Sequence, residues 1–283
     1  MSARALHLLV DGGSMHLEVR GQGEPVLLVH GIFASSYCWR LVAEQLAKRY
    51  TVYSLDLLGF GMSDMPPDID YSQSAQARRV LQVVDQLGLS SVRLVGHSMG
   101  GEIAAMAACF DATPFSQLVL VAADGFRPAF KPWQRRVLSG AWMGWVVRRT
   151  FDEKGFRRFV RRIVTDPTVY GAEEIAHYVA PYRRAEFPLA MRRLAKDREA
   201  GIRPEMCSTI QVPTLLLWGE EDRIVPPRIG EQYRELLPNV VHYLTCPNCG
   251  HMPMEEYPEW LTRQLVSFFA GDLAETVRAD HSW

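Results

Sequence analysis

Short, unbroken apolar runs alternate with segments of helical spacing over residues 1–126. Leu6–Val10 and His16–Val19 read as two strands of a hairpin around Asp11-Gly12-Gly13. Val26–Val29, Val52–Leu55, Val92–Val95 and Leu118–Val121 are continuous apolar runs, the mark of strands buried on both faces. Between them, Tyr37–Arg49 repeats apolar residues at Trp39, Val42 and Leu46, which predicts a helix. Gln73–Leu87 predicts another, closed by Gly88, and Glu102–Cys109 a third. After residue 203 the alternation resumes with strands at Thr214–Trp218 and Val240–Leu244 and helices at Ile229–Leu236 and Pro258–Phe269. Strands alternating with helices predict an α/β fold, a doubly wound, mostly parallel sheet of eight strands.

Residues 127–203 break the pattern. They hold no buried-strand run and read as several amphipathic helices. Their charge also differs: 15 Arg and 3 Lys stand against 5 Glu and 3 Asp, a net of +10, which leaves −11 on the rest of a chain whose total is −1. The expected organisation is therefore a core of residues 1–126 and 204–283, with 127–203 as a helical, basic cap over one end of the sheet. Within it, Trp133, Val137, Leu138, Ala141, Trp142 and Trp145 form one apolar stripe, and Phe156, Phe159, Val160, Ile163 and Val164 a second. Both are expected to pack on the body or to roof a pocket. Two sharper readings stand beside this one. A basic, Trp-rich face suits peripheral contact with an anionic membrane. An inward arginine suits a substrate carboxylate or phosphate.

Composition excludes several classes. At 283 residues, 48% hydrophobic and 22% charged, the chain is neither disordered nor a coiled coil. Its balanced charge argues against a nucleic-acid binder. No apolar run approaches the roughly 18 residues that span a bilayer. The N-terminus lacks a secretory pattern, and five cysteines give no disulfide framework, so a reduced, cytoplasmic protein is expected. Cys246 and Cys249 read as two loop cysteines, and Gly271–Trp283 as a loose tail in which Trp283 could dock.

The candidate chemistry is a serine centre. Gly96-His97-Ser98-Met99-Gly100 follows a strand run and opens a helical one, the context in which G-x-S-x-G holds an exposed nucleophile on a sharp turn. A serine needs a base, and the base an orienting acid. His251 follows the strand at Val240–Leu244, at the same carboxyl edge of the sheet as Ser98. Asp222 follows Thr214–Trp218, and the order Ser98, Asp222, His251 fits a known triad arrangement. Asp124 is the alternative acid. Met99 and Ile32 are the candidate N–H donors for an oxyanion, and His30, Gly31, Phe33, His97 and Met252 the candidate pocket residues.

Five motifs in order carry a resemblance: HGIFASSYCW at 30–39, DLLGFGMSD at 56–64, GHSMGG at 96–101, WGEEDRIVP at 218–226 and NCGHMPMEEYP at 248–258. Together they make the chain similar to the α/β-hydrolase fold superfamily, in its single-cap serine hydrolase branch. The resemblance implies a Ser–His–Asp triad, a helical cap inserted after the sixth strand, and no cofactor or metal. Haloalkane dehalogenases and epoxide hydrolases carry an aspartate where Ser98 stands, which sets both apart. Carbon–carbon bond hydrolases usually carry a glycine-rich loop and an Asn where this chain has His30-Gly31 and His97; here it resembles carboxylesterases and lipases more. The implied activity is hydrolysis of a carboxylic ester with a moderately sized apolar acyl group. A carbon–carbon bond hydrolase or lactonase with the same triad, and a non-catalytic ligand-binding member of the fold, are the alternatives.

Overall fold

The computed structural model describes residues 3–273, without the side chains of Ala141, Met143 and Arg148. The part of the expected tail beyond residue 273, with His281 and Trp283, lies outside the described residues.

Eight strands form one sheet: β1 (Arg4–Val10), β2 (Gly13–Arg20), β3 (Pro25–Val29), β4 (Thr51–Leu55), β5 (Val92–His97), β6 (Phe115–Val121), β7 (Thr214–Gly219) and β8 (Val240–Cys246). Their order is β1-β2-β4-β3-β5-β6-β7-β8. The predicted hairpin closes tightly, with Val10 opposite Gly13 and Gly12 at φ 94°, a torsion glycine adopts without a Cβ penalty. β2 meets β4 antiparallel, and every later pairing is parallel. All carboxyl ends from β3 onward therefore lie along one edge, where the loops of an open α/β sheet build a site.

The helices in chain order are α1 (Arg40–Leu46), α2 (Gln73–Gln86), α3 (Met99–Phe110), α4 (Pro132–Leu138), α5 (Ala141–Thr150), α6 (Glu153–Ile163), α7 (Ala172–Val179), α8 (Phe187–Asp197), α9 (Pro204–Cys207), α10 (Pro227–Leu236), α11 (Pro253–Glu256) and α12 (Pro258–Ala270). α1 packs on α12, while α2, α3, α9 and α10 adjoin in turn, so that the sheet is covered on both faces. α3 is buried on nearly all sides, which its run of Ala, Ile, Met and Gly foretells. The helix expected over Tyr37–Arg49 is shorter, because Ser35 Oγ accepts the Tyr37 N–H and turns Ser36–Trp39 into a 3₁₀ segment first. Among the described residues, no helix is long and apolar enough to cross a membrane.

Between β6 and β7 the chain is helical, α4 to α9. α6 shows how sequence produces its orientation. Asp152 caps it by accepting the Gly155 N–H at 2.6 Å, Glu153 lies in the first turn, and Arg161 and Arg162 lie in the last, each matched to the helix dipole. Phe156, Val160 and Ile163 are buried, while Arg157, Arg158, Arg161 and Arg162 face out. The other stripe departs from expectation. Trp133, Val137, Trp142 and Trp145 are 63%, 46%, 51% and 63% exposed. α4 and α5 carry apolar residues on more than one face, and only the face with Leu138 and Val147 turns inward.

These helices are fastened to the loops at the carboxyl edge. Tyr182 Oη donates to the Phe33 carbonyl. Arg184 Nη1 donates to the carbonyls of Ser63 at 2.7 Å and Gly61 at 3.2 Å. The His251 N–H donates to the Ile163 carbonyl at 2.6 Å. Tyr178 Oη and Arg40 Nη1 both donate to Glu255, each at 2.6 Å.

Candidate active site

Ser98 sits between β5 and α3 with φ 53° and ψ −123°, torsions that L side chains rarely adopt. Strain of this kind persists only where the surroundings hold it. Here the Ser98 N–H donates to the Val121 carbonyl at 3.0 Å, and its carbonyl accepts from Gly101 and Asp124 at 2.9 and 3.0 Å. The turn is possible because Gly100 has no side chain: a Cβ there would stand 2.3 Å from the His30 carbonyl oxygen. Gly31 likewise lets its loop press on the turn, since its Cβ would stand 2.9 Å from both Ser98 Cβ and His97 Nδ1.

β7 delivers Asp222 and β8 delivers His251 to the same edge. Asp222 Oδ1 accepts the N–H groups of Ile224 and Val225 at 2.8 and 2.9 Å. Its Oδ2 lies 2.7 Å from His251 Nδ1. A carboxylate only accepts, so Nδ1 carries the hydrogen and Nε2 keeps a free lone pair. That lone pair lies 3.0 Å from Ser98 Oγ, the arrangement in which a serine can lose its proton to a base. Asp124, the alternative acid, is turned away: its carboxylate contacts Arg127.

Histidines behind the site hold its backbone. His97 Nε2 donates to the His251 carbonyl at 2.8 Å, and burial pushes its pKa well below 6.5, so the ring is neutral. His30 donates from Nδ1 to the Gly31 carbonyl at 2.7 Å and accepts the Leu57 N–H on Nε2 at 3.0 Å. Burial lowers its pKa as well, which suits a ring with one donor and one acceptor. In the loop after β3 and at the start of α3, the N–H groups of Ile32 and Met99 find no acceptor among the described residues. Both residues line the same cavity as Ser98, so the two amides are available to an oxyanion.

Residues 24–258 match the description of the alpha/beta hydrolase fold. The chain belongs to this family. It is 31% identical over 264 residues to the uncharacterized hydrolase YugF of Bacillus subtilis, covering 92% of this chain and 95% of the relative. It is 27% identical over 258 residues to the 2-hydroxy-6-oxo-6-(2'-aminophenyl)hexa-2,4-dienoic acid hydrolase of Metapseudomonas resinovorans, covering 88% and 85%. A solved membrane phospholipase A, described as a bacterial virulence factor, superposes with a TM-score of 0.78 at 28% identity, covering 95% of this chain and 86% of that one. The protein is a hydrolase of the α/β fold.

In this α/β hydrolase Ser98 opens into a cavity of about 460 Å³. A larger cleft, about 860 Å³, lies beside α2 between Asp70 and Glu199 and touches none of Ser98, Asp222 and His251. Of the five residues expected at the pocket, Phe33 lines the cavity, whereas His30, His97 and Met252 are buried away from it and Gly31 lies against the turn. Much of the apolar wall comes from residues that sequence reasoning missed, among them Phe130, Phe151, Met191 and Leu194. Neither apolar stripe read from the sequence includes these four, and nothing local said which segment would face Ser98. The polar wall residues besides Ser98 are Gln73, Asp124, Arg127 and Arg198.

Proposed function

We propose that the protein is a carboxylic-ester hydrolase that works through an acyl-enzyme on Ser98. One observation carries this reading: Ser98 Oγ is 3.0 Å from His251 Nε2, and His251 Nδ1 is 2.7 Å from Asp222, beside a cavity with mostly apolar walls. His251 takes the Ser98 proton as Oγ attacks the ester carbonyl. The N–H groups of Ile32 and Met99 hold the oxyanion. The carbon–oxygen bond to the alcohol then breaks, and His251 returns the proton to the leaving oxygen. Water attacks the acyl-enzyme with His251 again as base, the bond to Ser98 Oγ breaks, His251 returns the proton to Oγ, and the acid leaves. Asp222 fixes the imidazole tautomer and stabilises the imidazolium. Residues 127–203 act as a cap that roofs the cavity and shapes the acyl site. A carbon–carbon bond hydrolase or lactonase would use the same three residues. His30-Gly31 and His97 favour the ester, and the likeness to a phospholipase supports it.

Intact-mass analysis after fluorophosphonate treatment tests the nucleophile. Wild type should gain one adduct, Ser98→Ala none, and His251→Ala an adduct only slowly. On a panel of 4-nitrophenyl esters, Ser98→Ala and His251→Ala should lose about 10⁶-fold in kcat. Asp222→Asn should lose about 10⁴-fold. Full turnover by Ser98→Ala, or a folded wild type that takes no adduct, overturns the assignment.

The exposed Trp133, Trp142 and Trp145, with Arg149 stacked 5.2 Å from the Trp145 ring, favour a second element of the reading: this face of the cap rests on anionic lipid.

A further inference from the structure

Arg198 follows α8 with φ −54° and ψ 122°, an extended link between Asp197 and Glu199. Both neighbours are tied to the start of α2. Asp197 accepts the Tyr71 N–H at 3.1 Å and Arg193 Nε at 2.7 Å. Glu199 accepts the Ser74 N–H at 3.0 Å, and its own N–H donates to Gln73 Oε1 at 3.3 Å. Neighbouring side chains on extended backbone point to opposite sides. With its neighbours held on α2, Arg198 projects the other way and lines the cavity of Ser98.

The guanidinium is uncommitted there. Among the described residues it makes no hydrogen bond or ion pair, and it stacks on the Phe130 ring, 4.7 Å away. Arg127 lines the same cavity, but its charge is matched: Nη2 pairs with the fully buried Glu102 at 2.7 Å, and Nη1 lies against Asp124. Glu102 also accepts the Ile202 N–H at 2.9 Å. Asp124, the acidic residue on the cavity wall, thus faces Arg127. Burial, with the Arg127 charge beside it, pushes the Arg198 pKa down to about 10 against the smaller pull of Glu102.

We propose that Arg198 binds an ionised carboxylate on the substrate, so that the preferred ester has an apolar acyl body bearing a second carboxyl group. This rests on the ester reading above. A planar guanidinium fork matches a carboxylate in two parallel hydrogen bonds. One uncommitted cation fits a single negative charge; a dianionic phosphate would call for more. The apolar walls, from Phe151, Met191 and Leu194, hold the chain between the two carbonyl groups.

The test compares 4-nitrophenyl octanoate with the mono-4-nitrophenyl ester of octanedioic acid. Wild type should favour the carboxylated ester, and Arg198→Met should cut the ratio of the two kcat/KM values at least tenfold, mainly through KM. Arg198→Lys, which keeps the charge without the fork, should cut it about threefold. In parallel, octanedioate and octanoate are titrated calorimetrically into Ser98→Ala, with and without Arg198→Met. Octanedioate should bind more tightly, and Arg198→Met should abolish the difference. If esters turn over but neither ratio nor binding depends on Arg198, this inference fails and the ester reading stands. If no ester turns over yet octanedioate binds through Arg198, the ester reading fails and the carboxylate site stands.

Discussion

His16 and Asp56 show how one buried pair is made to hold charge. Their side chains meet at 3.1 Å beneath the loop after β4. The hydrogen bond to Asp56 raises the His16 pKa above 6.5, against burial, with Glu18 adding to the rise. Burial works against the Asp56 carboxylate too, but His16, His30 and the N–H groups of Met62 and Ser36 outweigh it and hold its pKa below 3.8. A raised histidine gives stability that is full below pH 6.5 and fades as pH rises through the shifted value. A lowered aspartate gives stability that fades as pH falls through its own. His16→Gln should therefore cost roughly 1.5 kcal/mol near pH 5.5 and much less near pH 9. Urea unfolding at the two values measures this, and an equal loss at both would contradict the pairing. At this scale the sharp turn at Ser98 was legible in the sequence, because a strand, G-x-S-x-G and a helix are neighbours in the chain. His30 and His97 were harder to place. Being next to site residues in sequence said nothing of which way their rings turn, and both turn into the protein to hold backbone.

Between elements, the contact that bears most on the proposed reaction is Tyr182 to Phe33. Phe33 has φ 59° and follows Ile32, whose N–H is the proposed oxyanion donor. Tyr182 is buried and its phenol stays protonated, since burial raises its pKa. It can therefore donate to the Phe33 carbonyl at any ordinary pH. Tyr182→Phe should lower kcat about tenfold with a smaller change in KM, because a displaced oxyanion donor acts on the transition state. Steady-state kinetics on one ester would check it, and an unaltered kcat would mean the loop keeps its shape without the tyrosine. The central strands β3 to β7 were read from the sequence to within a few residues, because a buried parallel strand has to be apolar throughout. α6 was legible as an amphipathic helix for the same kind of reason. α4 and α5 were not, since apolar residues on several faces leave the buried face undecided.

Across the whole molecule, charge is unevenly divided. Residues 127–203 carry +10, and the remainder −11. Some of these arginines are used internally, as Arg184 is on the loop after β4. Others, such as Arg136 and Arg149, lie exposed, and Arg149 stacks on the exposed Trp145. Apolar rings and arginines on one face bind a negatively charged lipid surface by insertion and by charge together. The protein should co-sediment with phosphatidylglycerol vesicles at low salt and less at high salt, where screening shortens the reach of the arginines. Trp142→Ala with Trp145→Ala should weaken it at both. Binding that ignores salt, or that is equal on neutral phosphatidylcholine, would remove the lipid from the reading.

The sequence by itself determined the doubly wound sheet and the helical insertion, and it pointed to Asp222 and His251 as the pair that lines up with Ser98. Each depends on local pattern: apolar runs, turn residues, and loops that must emerge at one edge when strands run parallel. The tertiary structure alone decided the cavity wall, the exposed tryptophans and the freedom of Arg198. Those depend on how α4–α8 stack over the edge and on which carboxylates reach which guanidinium, and side chains far apart in the chain settle both only once they are packed together.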